Sequence, residues 1–234
     1  MSAPLTARAV ARRELTTAIT SEARRQLAEH GPDGLSLRAV ARSLGMASSA
    51  VYRYFASRDE LLTALIIEGY TALGDALDAA DTAAPRAHPR RRWLSVCRAA
   101  RTWATSHPHE YALLYGSPVP GYAAPRDTVD PAARVPLALF APLRDAWLAG
   151  GVTGPPVRPL PVRLRRQLEP VAAALGTDLP PTVVNEAISA WAQLFGVLSF
   201  ELFGHFVGSV DPADDFFEHE IAGMADRLGL MPHH

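Results

Sequence analysis

Two short segments with apolar residues at helical spacing, joined through Gly45-Met46, constrain this chain more than any other feature. In "SLRAVARSLGMASSAVYRYFASRDELL", Leu37, Val40, Ala41 and Leu44 follow the i, i+3, i+4, i+7 pattern of one buried helix face. Val51 and Phe55, four apart, supply the facing stripe of the next helix. The Ser36 hydroxyl can cap the earlier helix, and Gly45 ends it. Two helices and a tight turn of this kind make a helix-turn-helix unit. Burying those apolar positions leaves Ser48, Ser49, Tyr52 and Arg53 outward on the later helix, and Arg38 and Arg42 outward on the earlier one.

Helical periodicity recurs along the whole chain and period-two alternation does not, so the expected fold class is all-α. Leu15, Ile19, Ala23 and Leu27 mark a first helix over about 7–30, closed by Gly31-Pro32. The third helix is expected over about 47–54, and the fourth over 58–79 behind the capping box of Ser57 and Glu60. Further helices are expected at about 89–106, 108–116, 131–149, 161–176, 181–206 and 213–229. Pro136 and Pro142 should kink or break the helix that contains them, and "SPVPGYAAPRDTVDP" should not be regular structure.

A net charge of −1 hides an asymmetry. Through Arg58 there are nine arginines against four acids, whereas the remainder holds fourteen arginines and twenty acids. A basic head on an acidic body suggests a polyanion at one end. Arg38 and Arg42, four apart, repel on an isolated helix by a few tenths of a kcal/mol. An anion running past that face reverses the sign. The second helix of such a unit lies in the major groove of DNA with its first turns against base edges. Hydroxyls such as those of Ser48, Ser49 and Tyr52 suit phosphate oxygens. Arg53 can fork onto a guanine edge or clamp a phosphate, and both remain open.

From about Arg12 to Leu73 the chain resembles the tetracycline-repressor (TetR) family of bacterial transcription regulators. The residues that carry the likeness are "LAEHGPDGLSLRAVARSLGMASSAVYRYFASRDELL", with the helix end "AEHG" and a recognition segment reading "GMASSAVYRYF". The resemblance implies that Tyr52 meets a phosphate, Arg53 faces the groove, Ser36 caps the second helix near the backbone and Arg58 touches phosphate. Two positions depart from the family pattern. Ala47 stands where a capping Ser or Thr is usual, which weakens the start of the third helix. Tyr54 replaces the usual His, a change that bears on operator preference. The blocks "WATSHPHEYALLYGSPVPGYAAP" and "AWAQLFGVLSFELFGHF" resemble the effector domain of an actinobacterial subgroup of the family.

The implied organisation is an N-terminal three-helix DNA-binding domain over 1–57 and a helical ligand-binding and dimerisation domain over 58–234. The partners it implies are double-stranded operator DNA, a second copy of the chain and an unknown small-molecule effector. For the dimer, the stripe Trp191, Phe195, Leu198 and Leu202, with Phe217 and Ile221 of the last helix, offers an isologous four-helix contact. Burial of that stripe within one subunit is the competing reading. Trp103, Tyr111, Tyr115, Phe140 and Trp147 are candidates for an apolar ligand site, although ordinary core packing accounts for each singly. A regulator without a small-molecule ligand, constitutive or protein-controlled, is the main alternative.

An all-α enzyme is the remote alternative. Ser117 in "GSPVPG" lacks the G-x-S-x-G spacing, and there is no H-E-x-x-H, phosphate-binding glycine loop or dinucleotide fingerprint. No cofactor or metal is expected. His107 and His109 flank Pro108 and cannot share a helix face, and His205 with His219 is a weak pair; His233 and His234 form a tail. Cys97, the single cysteine, sits in an apolar helix pattern and reads as a buried thiol. With no signal-peptide core, and with Ser189, Gln193, Ser199 and Glu201 interrupting the most apolar segment, a cytoplasmic protein without a membrane span is expected.

Overall fold

The computed structural model describes residues 6–152, 159–176 and 178–231, and His233 and His234 lie outside that set. The described residues form ten α-helices joined by turns, with no strand among them. They are α1 (Ala7–His30), α2 (Leu37–Ser43), α3 (Ser48–Val51), α4 (Arg58–Ala83), α5 (Pro89–Ser106), α6 (Pro108–Tyr115), α7 (Val129–Leu148), α8 (Val162–Ala174), α9 (Pro181–Leu202) and α10 (Asp214–Arg227). The helices group into two compact units. One takes in the chain up to Gly69 together with His107–Val129; the other holds Tyr70–Ser106 and the chain from Asp130 onward.

In the first unit, Ile19, Ala23, Val40, Ala41, Val51, Phe55, Leu61 and Leu62 form one buried cluster, with Leu44 and Met46 packed at its edge. The apolar positions of α2 and α3 meet there as their spacing requires. Leu15 departs from expectation: it lies on the exposed first half of α1. Gly31 closes α1 at φ 68, and its amide donates to the Leu27 carbonyl at 2.9 Å. Gly45 turns the chain at φ 64, a left-handed conformation that costs glycine nothing. α6 packs on α1, and Tyr122 bonds Thr63 of α4 at 2.9 Å between hydroxyls. This unit therefore recruits the start of α4 and a later segment, which the expected boundary at residue 57 leaves out.

The second unit is organised by α5. Trp93 is fully buried and its indole N–H donates to the Ile221 carbonyl of α10 at 3.0 Å. Arg98 grips Glu218 of α10 through two bonds of 2.8 and 2.7 Å. Arg101 holds Glu201 of α9 at 2.6 Å and Asp214 of α10 at 2.9 Å, with its guanidinium 4.9 Å from the Phe217 ring centroid. On its opposite side α5 places Arg92 between Asp81 of α4 and Asp145 of α7. Much of the acidity of the body is thus consumed in internal pairs. Cys97 is buried here, and burial pushes its thiol well above the usual range.

One expectation is corrected. α7 runs unbroken through Pro136 and Pro142, although each removes a backbone donor. Its buried face, with Val135, Leu139, Phe140, Leu143 and Pro142 itself, holds the helix together by packing. α9 is long and apolar enough by length and composition to cross a membrane, with a mean hydropathy of 1.2 in its most apolar stretch. It packs instead against α5, α8 and α10 and buries Val183, Val184, Ala187, Leu194 and Leu198.

Candidate nucleic-acid interface

The α2–α3 unit is fastened to α1 by a polar network. The Ser36 hydroxyl accepts the Ala39 amide at 3.4 Å, capping α2, while the Ser36 amide donates to Gln26 Oε1 at 3.5 Å. Gln26 is buried and passes the network to Glu22, which Arg25 engages at 2.8 and 2.7 Å. Arg25 also pairs with Glu29 and reaches the Ser43 hydroxyl of α2 at 3.5 Å. Ser36 is therefore a cap and brace, held between α1 and α2. Gln26 is absent from the expected site although the sequence carries its signal: it shares the buried face of Ile19, Ala23 and Leu27, where a polar residue requires a partner.

Hydrogen bonds from Arg25 hold the Glu22 carboxyl at about 2, below its usual 4.5, against an opposing contribution from burial. Arg98 likewise lowers Glu218; at Asp145, burial opposes but Arg144 and Arg92 prevail. Carboxyls depressed in the folded state stabilise it above their unfolded pKa and lose that contribution as pH falls through the folded value. The thermal midpoint should hold above pH 4.5 and decline toward pH 2, and a series of melts across that range checks it.

α3 is shorter than expected. Ala47 offers no side-chain cap, and beyond Val51 the bonds tighten to i−3, with Arg53 donating to Ala50 and Tyr54 to Val51 at 3.3 and 2.9 Å. The start of α4 is capped with a shift of one residue: Ser57 accepts the Glu60 amide at 3.1 Å, while the Glu60 carboxylate takes the amide of Ala56.

On the outer surface Ser48, Ser49, Tyr52 and Arg53 are exposed together, with Arg38 and Arg42 exposed on α2. Among the described residues none of these three arginine side chains has an ion pair or hydrogen bond. Seven of the twelve described arginines of the second unit, at 86, 90, 92, 98, 101, 134 and 144, have carboxylate partners, and Arg227 bonds the Gln193 side chain. Hydroxyls and uncompensated guanidinium groups on a rigid two-helix frame are what a phosphate backbone and base edges require.

Two expected members stand differently. Arg58 donates to the Pro32 carbonyl at 2.7 Å and lies 3.7 Å from Asp33 and 3.9 Å from Asp59. It braces the α1–α2 connection, and its charge is compensated inside the protein. Tyr54 is half-buried against the core, and its ring receives the Arg12 guanidinium at 5.5 Å. Arg8 and Arg12 are absent from the expected site, although their four-residue spacing on α1 places them on one face.

Residues 93–224 match the family described as "Tetracyclin repressor-like, C-terminal domain", and residues 19–65 match "Bacterial regulatory proteins, tetR family". The chain belongs to the TetR family. The HTH-type transcriptional regulator Rv1816 of Mycobacterium tuberculosis is 43% identical over 208 residues, covering 84% of each chain. A protein named the HTH-type transcriptional regulator Mb1846, from Mycobacterium bovis, matches to the same extent. The solved structure of SCO4313, described as a regulatory protein, superposes with a TM-score of 0.76 at 33% identity, covering 94% of this chain and all of that one. A TetR-family protein from Rhodococcus RHA1 shares the fold alone, at 17% identity and a TM-score of 0.61 over 93% of this chain and 98% of that one. This TetR-family chain is thus a helix-turn-helix transcriptional regulator, in a family and among relatives that are regulators.

The regulator's other expected residues are distributed as follows. Tyr111 and Tyr115 lie in the first unit with ring centroids 5.3 Å apart, and Trp103, Phe140 and Trp147 lie in the second. Trp103, Tyr111 and Phe140 are buried; half-buried Trp147 donates to Asp178 at 3.1 Å. Of the expected dimer residues, Leu198, Phe217 and Ile221 are 0, 1 and 0% exposed. That corrects the expectation, because side chains already buried within one subunit have no surface left for a second. Phe195 is nearly buried, while Trp191 and Leu202 keep part of their surface.

Proposed function

We propose that this TetR-family regulator is a repressor that binds a pseudo-palindromic operator as a homodimer and releases it when a small apolar ligand binds. What carries the DNA part is the set of exposed Ser48, Ser49, Tyr52 and Arg53 beside uncompensated Arg38 and Arg42. Two half-sites about one DNA turn apart require a two-fold protein. The surface best suited to it is the outward side of α9, where Ser189, Ala192, Gly196 and Phe200 are exposed together and Phe203 follows. Phe200 and Phe203 are 51% and 44% exposed, large apolar area for a monomer to leave in water.

Selection of bound fragments from genomic DNA should yield a two-fold sequence. On it, Arg53→Ala should weaken binding by about 1–3 kcal/mol and relax preference at one position per half-site if Arg53 reads a base. An equal loss on every sequence would assign Arg53 to phosphate.

Ligand control rests on the tetracyclin repressor-like C-terminal match and on the aromatic residues Trp103, Phe140 and Trp147 of the second unit. A ligand can lower operator affinity only through a preference for one arrangement of the dimer, with a coupling of about 1–3 kcal/mol, or 5–150-fold. Linkage requires operator DNA to weaken ligand binding by the same factor. Titration of a candidate apolar compound with and without operator reads this directly, and equal affinities in both would exclude induction by that compound.

A further inference from the structure

The geometry points to a second DNA-backbone contact: Arg8 and Arg12 of α1, the latter held in place by Tyr54, clamp phosphates beside the recognition helix. This rests on the DNA-binding reading above and extends it to residues outside the helix-turn-helix. Arg8, Ala11, Arg12, Leu15, Arg53 and Tyr54 line one cleft of about 190 Å³. Three arginines line it and no carboxylate residue does. Among the described residues, Arg8, Arg12 and Arg53 hold no ion pair, so their mutual repulsion goes uncompensated within the unit. A polyanion supplies the compensation. Arg53 belongs both to this cleft and to the outward row of Ser48, Ser49 and Tyr52, so a strand passing the recognition helix meets the cleft next.

Tyr54 explains how an exposed arginine on the first turns of α1 comes to be directed there. Its half-buried ring packs on the core on one side and lies 5.5 Å from the Arg12 guanidinium carbon on the other. The ring quadrupole attracts the cation without consuming its N–H donors in a salt bridge, which leaves them for phosphate oxygens. Tyr54 is thus a positioning residue acting through Arg12. Its hydroxyl is not needed for that role, but its aromatic face is.

The experiment measures binding of the full chain to a mixed-sequence duplex of about 30 base pairs across a salt series, with anisotropy as readout. Each phosphate that the protein ceases to neutralise takes about 0.9 off the slope of log K against log salt. Arg12→Gln should lower the slope by about one per bound subunit and weaken binding on all sequences alike. Arg8→Gln should act in the same direction. Tyr54→Phe should bind as the unaltered protein does, whereas Tyr54→Leu should reproduce the shallower slope of Arg12→Gln. Arg8 and Arg12 are exposed, so unchanged helicity in those variants is expected and separates the effect from misfolding. An unchanged slope in Arg12→Gln, with the unaltered chain binding normally, would overturn the clamp and leave the DNA reading standing. Absence of salt-dependent binding by the unaltered chain would overturn both.

Discussion

Replacing Arg92 with Ala should cost the fold several kcal/mol. Arg92 is 1% exposed and donates to Asp81 through bonds of 2.7 and 2.8 Å and to Asp145 at 2.8 Å. One guanidinium thereby ties α5 to both α4 and α7. Removing one partner of a buried ion pair costs about 3–5 kcal/mol, since the remaining charge is stranded without solvent. Arg86 and Arg144 still reach the two aspartates, so the low end of that range is expected. Neutralising the stranded group as well, in Arg92→Met with Asp81→Asn, should recover part of the loss. Denaturant titration of the two variants measures both quantities. A loss below about 1 kcal/mol for Arg92→Ala would show that the cluster is adequately solvated and that α5 is held by its apolar face alone.

Gly196→Arg should convert the protein to monomers without harming the subunit. A Cβ at Gly196 meets nothing within 4 Å in the subunit, so the added side chain displaces no neighbour. Arginine also favours a helix interior over glycine by about 0.8 kcal/mol. Against a second copy of α9 the same side chain would place a charge where Ala192, Gly196 and Phe200 should meet their counterparts. A monomer binds half-sites one at a time and forfeits the effective concentration gained by linkage, a loss of about 10²-fold or more on a two-half-site operator. Sedimentation equilibrium should show monomers with unchanged circular dichroism. A dimer that persists would move the interface away from this face of α9.

Helix positions are legible in the sequence because glycine, proline and serine punctuate it sharply: Gly31, Ser36, Gly45 and Ser57 stand at or beside helix ends. α7 is misread from sequence because the local cost at Pro136 and Pro142 is visible there and the buried face that outweighs it is not. The outward row on α2 and α3 follows from which residues have to be buried. Arg58 and Tyr54 are harder, since the family pattern gives their positions but not their neighbours. Arg58 is bound to a carbonyl 26 residues earlier, and Tyr54 meets an arginine 42 residues earlier, on α1. Leu198, Phe217 and Ile221 of the expected dimer stripe are lost to the interior for a related reason. α9 is apolar on several sides, and only the packing of α5, α8 and α10 reveals which side stays exposed.

In the proposed mode of binding, α2 and α3 of two subunits read DNA as a two-fold pair. Nuclease footprinting of the unaltered protein on a fragment selected from genomic DNA tests it most directly. Two protected half-sites related by two-fold symmetry, with centres about 10 base pairs or a multiple apart, are predicted. Arg53→Ala should abolish or blur both halves together. A single asymmetric footprint, or protection no stronger than on unselected sequence, would contradict two-fold reading by these helices.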